Sequence, residues 1–132
     1  MPPQTILADE TESFAAQEAI ASTLQRYVDG ARQGDTSLLR SAFAADARVS
    51  GSYGGKPVNW TLQEFCDVIA KGGPAPDLEA RIAAVEVSGT AAMVRLEAVN
   101  WRGTRYTDFF VLTGTDGTWR IDSKVFFAHS RA

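Results

Sequence analysis

The residue in this chain best able to do chemistry is Asp108, which the turn Asp116-Gly117 sets among apolar side chains. Asp-Gly between two alternating runs is the preferred pair for a two-residue type I′ hairpin, so Thr115 should oppose Thr118. Counting outward by the period of two pairs Leu112 with Ile121, Phe110 with Ser123, Asp108 with Val125 and Tyr106 with Phe127, all on one face. The other face then carries Arg105, Thr107, Arg120, Asp122 and Lys124. An ionised carboxylate without partners is costly to bury, so it either keeps its proton or finds donors. A raised pKa would suit a general base that removes and returns a proton beside a carbonyl. The structural alternative is that Tyr27, Tyr53 or a backbone amide donates to Asp108 and the carboxylate simply orders the core. His129 shares the inward parity and is the second candidate acid or base. The strand repeat puts it roughly 13 Å from Asp108 unless the strand bends.

The elements that must position these groups are legible in the apolar periodicity. Residues 1–9 read as a mobile tail, and Ile20, Leu24, Tyr27, Val28 and Ala31 then recur at helical spacing. Gly34 closes that helix, and Asp35 can cap a short second one carrying Leu38, Leu39, Ala42 and Phe43. Asp46 to Ser52 reads as a short strand, followed by a loop at Gly54, Gly55 and Pro57. Thr61 and Glu64 form a capping box for a third helix, with Trp60 and Phe65 as its hydrophobic staple and Leu62, Phe65, Cys66 and Ile69 on one face.

From Leu78 onward the pattern predicts four antiparallel strands with turns at Gly89-Thr90, Trp101-Arg102-Gly103 and Asp116-Gly117. A three-residue middle loop would put Asn100 opposite Thr104 and Leu96 beside Asp108, with Asn100 on the inner face. A two-residue loop would set Glu97 next to Asp108, where two carboxylates would repel; the first register is preferred. If Gly89-Thr90 is a two-residue turn, Val85, Ala83 and Arg81 join the inner face.

With 132 residues, 45% of them apolar, the chain can bury a core as one domain over residues 10–132 without metals or crosslinks. A net charge of −3 and no basic cluster argue against nucleic acid. One cysteine and one histidine, without close ligand spacing, argue against a disulfide and a transition-metal site. Neither a signal peptide nor a membrane span is visible, so a cytoplasmic protein without cofactor is expected.

The order helix, helix, short strand, helix and four-strand meander resembles the nuclear transport factor 2-like superfamily. The matching text is Tyr27 with Gly30 and Gly34-Asp35, Ala42-Phe43 with Asp46-Ala47, Gly51 with Gly55, Arg105 to Phe109, Gly117 to Ile121 and Lys124 to Phe127. Within the superfamily these pieces look most like the putative lumazine-binding family, close to the SnoaL-like polyketide cyclases. The resemblance implies an α+β, cystatin-like cone, in which a curved antiparallel sheet wraps three helices. It also implies a pocket between the concave face and the helices. Carried over by position, Tyr27, Phe43, Tyr53, Trp60 and Phe65 would close that pocket from the helical side, and Asn100, Tyr106, Phe110 and Ser123 would join Asp108 and His129 from the sheet. A small apolar or aromatic metabolite is the ligand such a cavity would take. Asp108 as general base for isomerisation, cyclisation or dehydration is the alternative, as carboxylates act in related ketosteroid isomerases. Met93, Val99, Phe109 and Val111 on the outer face are too apolar to lie comfortably in water, which predicts a homodimer through that face, as the resemblance also implies.

Overall fold

The computed structural model describes residues 3–129, with side chains described from residue 14 onward. The order is α1 (Pro3–Gln33), α2 (Thr36–Ser41), β1 (Phe43–Tyr53), β2 (Lys56–Thr61), α3 (Leu62–Gly72), β3 (Glu79–Ser88), β4 (Ala91–Trp101), β5 (Thr104–Thr115) and β6 (Thr118–Ala128). Of the stretch read as a tail, residues 1 and 2 lie outside the described residues, and residues 3–9 are helical as the start of α1. The strands form one six-stranded sheet in the order β2-β1-β6-β5-β4-β3. β1 runs parallel to β6, an addition to the antiparallel order expected of the meander, and β2 is a strand where only a loop was expected.

The local signals act as their chemistry dictates. The Asp35 side chain accepts from the Leu38 amide and starts α2. Thr61 and Glu64 form both halves of the capping box at α3, and the Trp60 and Phe65 rings stack 6.2 Å apart as its staple. Leu62, Phe65, Cys66 and Ile69 are buried on one side of α3. They join Ile20, Leu24 and Tyr27 of α1 and the inner residues of β4 and β5 in one core. Thr23 fastens α1 to the sheet by donating to the Trp119 carbonyl over 2.8 Å.

Two bulges decide which side chains face that core. Asp116 and Gly117 both adopt positive φ, and Thr115 opposes Thr118 with Leu112 opposite Ile121, as the turn chemistry requires. The next pair is Val111 with Ser123, so Asp122 is an extra residue in β6. Every side chain beyond it changes face. Lys124 and Phe126 point inward, while Ser123, Val125 and Phe127, expected inside, lie on the outer side or the rim. In β4, an extra residue between Ala98 and Trp101 puts Asn100 in the left-handed region and restores Leu96 opposite Asp108, although the loop itself is the two-residue Arg102-Gly103 turn. A third irregularity, between Ile82 and Ala84, turns Arg81 outward against Glu97 instead of onto the inner face.

β1 approaches β6 closely at Gly51, where an added Cβ would stand 2.1 Å from the Phe126 carbonyl oxygen and 2.8 Å from its ring. Backbone cannot yield there as a flexible side chain could. Gly51→Ala should therefore lower stability by about 1–3 kcal/mol, read as a lower urea midpoint at unchanged m-value.

Candidate functional site

The inward turn of Lys124 creates the group around which the site is built. Its amine donates to the Tyr27 hydroxyl and lies 3.7 Å from Asp108 Oδ2, and Tyr27 in turn donates to the same oxygen over 3.3 Å. Three elements therefore meet at one point: α1 supplies the phenol, β5 the acid and β6 the amine. All three are buried, with Asp108 at 0% and Lys124 at 2% exposure. Asp108 Oδ1 has no hydrogen-bond partner among the described residues.

Burial is the largest influence on each ionisation. It pushes the Asp108 carboxyl above its ordinary value, against the opposing pull of Lys124 and of the Tyr27 and Lys124 hydrogen bonds. It draws the Lys124 amine below its ordinary value, although Asp108 pulls the other way. The Tyr27 phenol is raised well above its ordinary value by burial and by the neighbouring Asp108 charge, so it stays protonated. The Lys124 nitrogen also lies 4.6 to 5.2 Å from the ring centres of Phe65, Tyr27, Phe126 and Trp101. Those π faces favour the ammonium, while desolvation favours a neutral acid and amine. Burial thus leaves an acid that holds its proton more tightly than an exposed carboxyl and an amine that releases its proton more readily than an exposed lysine.

Lys124 forms the floor of a cavity of about 400 Å³ between α3, the β1–β2 hairpin and the β4–β5 turn. Its walls are largely aromatic: Tyr53, Trp60, Phe65, Trp101, Tyr106 and Phe126, with Val68, Ile69, Arg102 and Thr104 at the sides. Trp60 stacks on Phe65 and Phe126, and Trp101 meets Tyr27 and Tyr106 edge-on, so the walls hold one another in place.

Residues 15–127 match the model of the family described as "Putative lumazine-binding". The chain belongs to this family. Among solved structures it is similar to an NTF2-like protein of unknown function from Shewanella baltica OS155, at 33% identity and a TM-score of 0.81, over 86% of this chain and 94% of that one. A second, from Methylobacillus flagellatus KT, is 32% identical with a TM-score of 0.81, over 86% and 91% of the two chains. It is also similar to aldolase FrzH of Cladobotryum sp, 25% identical over 115 residues, covering 86% of this chain and 92% of that protein. The fold is thus the NTF2-like α+β cone of this family.

In this member of the family the structure brings together some of the expected residues and separates others. Tyr53, Trp60, Phe65 and Tyr106 line the cavity as expected. Tyr27 and Asp108 are in contact but sit behind Lys124, outside the cavity lining. Phe43 and Phe110 pack edge-on against Tyr27 within the core, with ring centres 5.9 and 5.1 Å away, and support the site without lining it. His129 does not enter. Its amide donates to the Arg105 carbonyl, and its ring nitrogen Nε2 is 2.9 Å from the Thr107 hydroxyl, which donates to Glu97 on the outer face. Asn100 is exposed at its bulge, and Ser123 faces away because of the extra residue before it. Lys124 and Phe126 were not among the expected site residues, and Trp101, whose ring offered a stacking surface in its turn, also lines the cavity. The polar pair Asp122-Ser123 inside an otherwise alternating strand is the one sequence sign of the shift that brings Lys124 in.

The direction of the Asp108 shift has a measurable consequence. Because its folded pKa lies above the ordinary 3.8, the folded chain holds a proton that the unfolded chain has released, so this group's contribution falls as pH rises through that window. Asp108→Asn abolishes that loss. In urea titrations at pH 4.5 and 7.5, the variant should gain stability relative to the parent at the higher pH; a difference that shrinks or stays flat would contradict the raised pKa.

Proposed function

We propose that this domain binds a small, flat, largely apolar metabolite in the aromatic cavity, with a carbonyl or similar polar end directed at Lys124. The observation that carries this reading is a cavity walled by rings, with a buried amine at its floor held by Tyr27 and Asp108. A few convergent polar groups in an apolar hollow are what a small-molecule site requires. The family description supports a ring-shaped ligand, and the name of the aldolase relative supports one bearing a carbonyl. Trp60→Ala removes one stacking wall and should weaken binding of an aromatic ketone about tenfold, measured by calorimetry. Unchanged affinity would mean that the ligand sits elsewhere.

The second reading is catalysis of isomerisation, cyclisation or dehydration, favoured by the continuous path from Lys124 through Tyr27 to Asp108. In this reading Asp108 is the proton acceptor for a carbon acid, acting through its two neighbours because it does not line the cavity itself. Asp108→Asn separates the two readings. A binding protein keeps its affinity, whereas an enzyme loses nearly all of its rate with folding intact and its bell-shaped pH profile collapses.

We further read the domain as a cytoplasmic homodimer joined through the outer sheet face. Phe109, Val111, Val125 and Phe127 are each about half exposed there, at 47%, 50%, 49% and 51%, which extends the apolar face expected from Phe109 and Val111. The single cysteine suits a reducing compartment. No helix among the described residues is long and apolar enough to cross a membrane. Light scattering should give twice the chain mass, and Phe109→Glu with Val125→Glu should give the monomer; a monomeric parent would refute the interface.

A further inference from the structure

Resting on the reading of the cavity as a site for carbonyl compounds, we propose that Lys124 bonds covalently to its ligand, forming an imine with an aldehyde or ketone. The placement is what recommends this residue. Lys124 is at once the amine on the cavity floor, enclosed by the rings of Phe65, Trp101 and Phe126, and the neighbour of a phenol and an acid. Lys56 and Lys71, the other two lysines, are exposed. A desolvated amine in an apolar hollow is a nucleophile at neutral pH, since less of it is held as ammonium.

The step balances with the groups that surround Lys124. The lone pair of the neutral Lys124 nitrogen adds to the carbonyl carbon, forming the C–N bond, while the C–O π electrons move to oxygen. That oxygen takes up a proton and the nitrogen gives one up, leaving a neutral carbinolamine. The C–O bond then breaks as the nitrogen lone pair forms C=N. The departing hydroxyl leaves as water with the proton held along Tyr27 and Asp108. The net change is amine plus carbonyl plus one proton giving iminium plus water, with nothing oxidised or reduced. Tyr27 and Asp108 are positioning residues here: they hold the amine against the cavity and carry the proton.

The test uses the full chain with 6-methoxy-2-naphthaldehyde and sodium cyanoborohydride at pH 7, followed by intact mass and peptide mapping. The expected result is one secondary-amine adduct at Lys124, forming at least about tenfold faster than on Lys56 or Lys71, because only at Lys124 does the cavity hold the aldehyde beside the amine. A chain carrying Lys56→Arg and Lys71→Arg should form it at the parent rate. Lys124→Arg should not form it, and Lys124→Met repeats that control if the arginine variant does not fold. Tyr27→Phe should slow capture by about 10²-fold and move the pH of its half-maximal rate, which a purely structural loss would leave in place. The matching alcohol, 6-methoxy-2-naphthalenemethanol, has no carbonyl and reports binding alone through a raised melting temperature. A stabilising alcohol together with an aldehyde that leaves Lys124 unlabelled, or labels all three lysines alike, overturns the imine while the binding reading stands. No stabilisation by either compound and no adduct at Lys124 overturns both.

Discussion

Placing an amine and a carboxyl together in a region without water is the constraint on which this structure turns. Neither Lys124 nor Asp108 could be buried alone at tolerable cost, because an uncompensated charge in the interior is worth several kcal/mol by general estimates. Together, with Tyr27 between them, they need only one proton and no net charge. This ties α1, β5 and β6 to one another more specifically than apolar packing would. It also explains why Tyr27, a core residue by its burial, cannot be treated as mere filling.

The aromatic walls follow from the same constraint. A lysine at the floor of a hollow needs neighbours that tolerate an ammonium without offering water, and ring faces do so. Three of the rings that surround the nitrogen, Phe65, Trp101 and Phe126, also line the space beside it, so the packing that makes Lys124 tolerable also makes the cavity wall aromatic. The bulge at Asp122 links the two faces of the sheet: by turning Lys124 and Phe126 inward, it sends Val125 and Phe127 outward onto an already apolar surface. One extra residue thus sets both the chemistry inside and the character of the face outside.

Membership of the family and likeness to NTF2-like structures account for the cone. Chemistry does not follow from the cone, since folds of this kind carry many functions on interchangeable side chains. The groups from which any activity must be argued are Lys124 at the floor of the cavity and the Tyr27 and Asp108 behind it.

Much of this was legible in the residues themselves. The helix caps at Asp35 and Thr61, the staple of Trp60 on Phe65 and the turn at Asp116-Gly117 all rest on local chemistry, which needs no distant partner to act. The β2 strand was hidden because Lys56 to Thr61 gains its ladder only from β1, and Pro57 reads as a loop when that partner is out of view. Lys124 was hidden for a related reason. Strand parity can be counted from a turn only until a bulge intervenes, and Val125, Phe126 and Phe127 are apolar on both parities, so only the polar pair Asp122-Ser123 hints at the turn of the strand. The sequence by itself determined the three helices, the four-strand meander and an acid on its apolar face, because those follow from caps, turns and alternation along the chain. Only the tertiary structure decided which amine joins that acid and which rings enclose it, because both depend on register between strands distant in sequence.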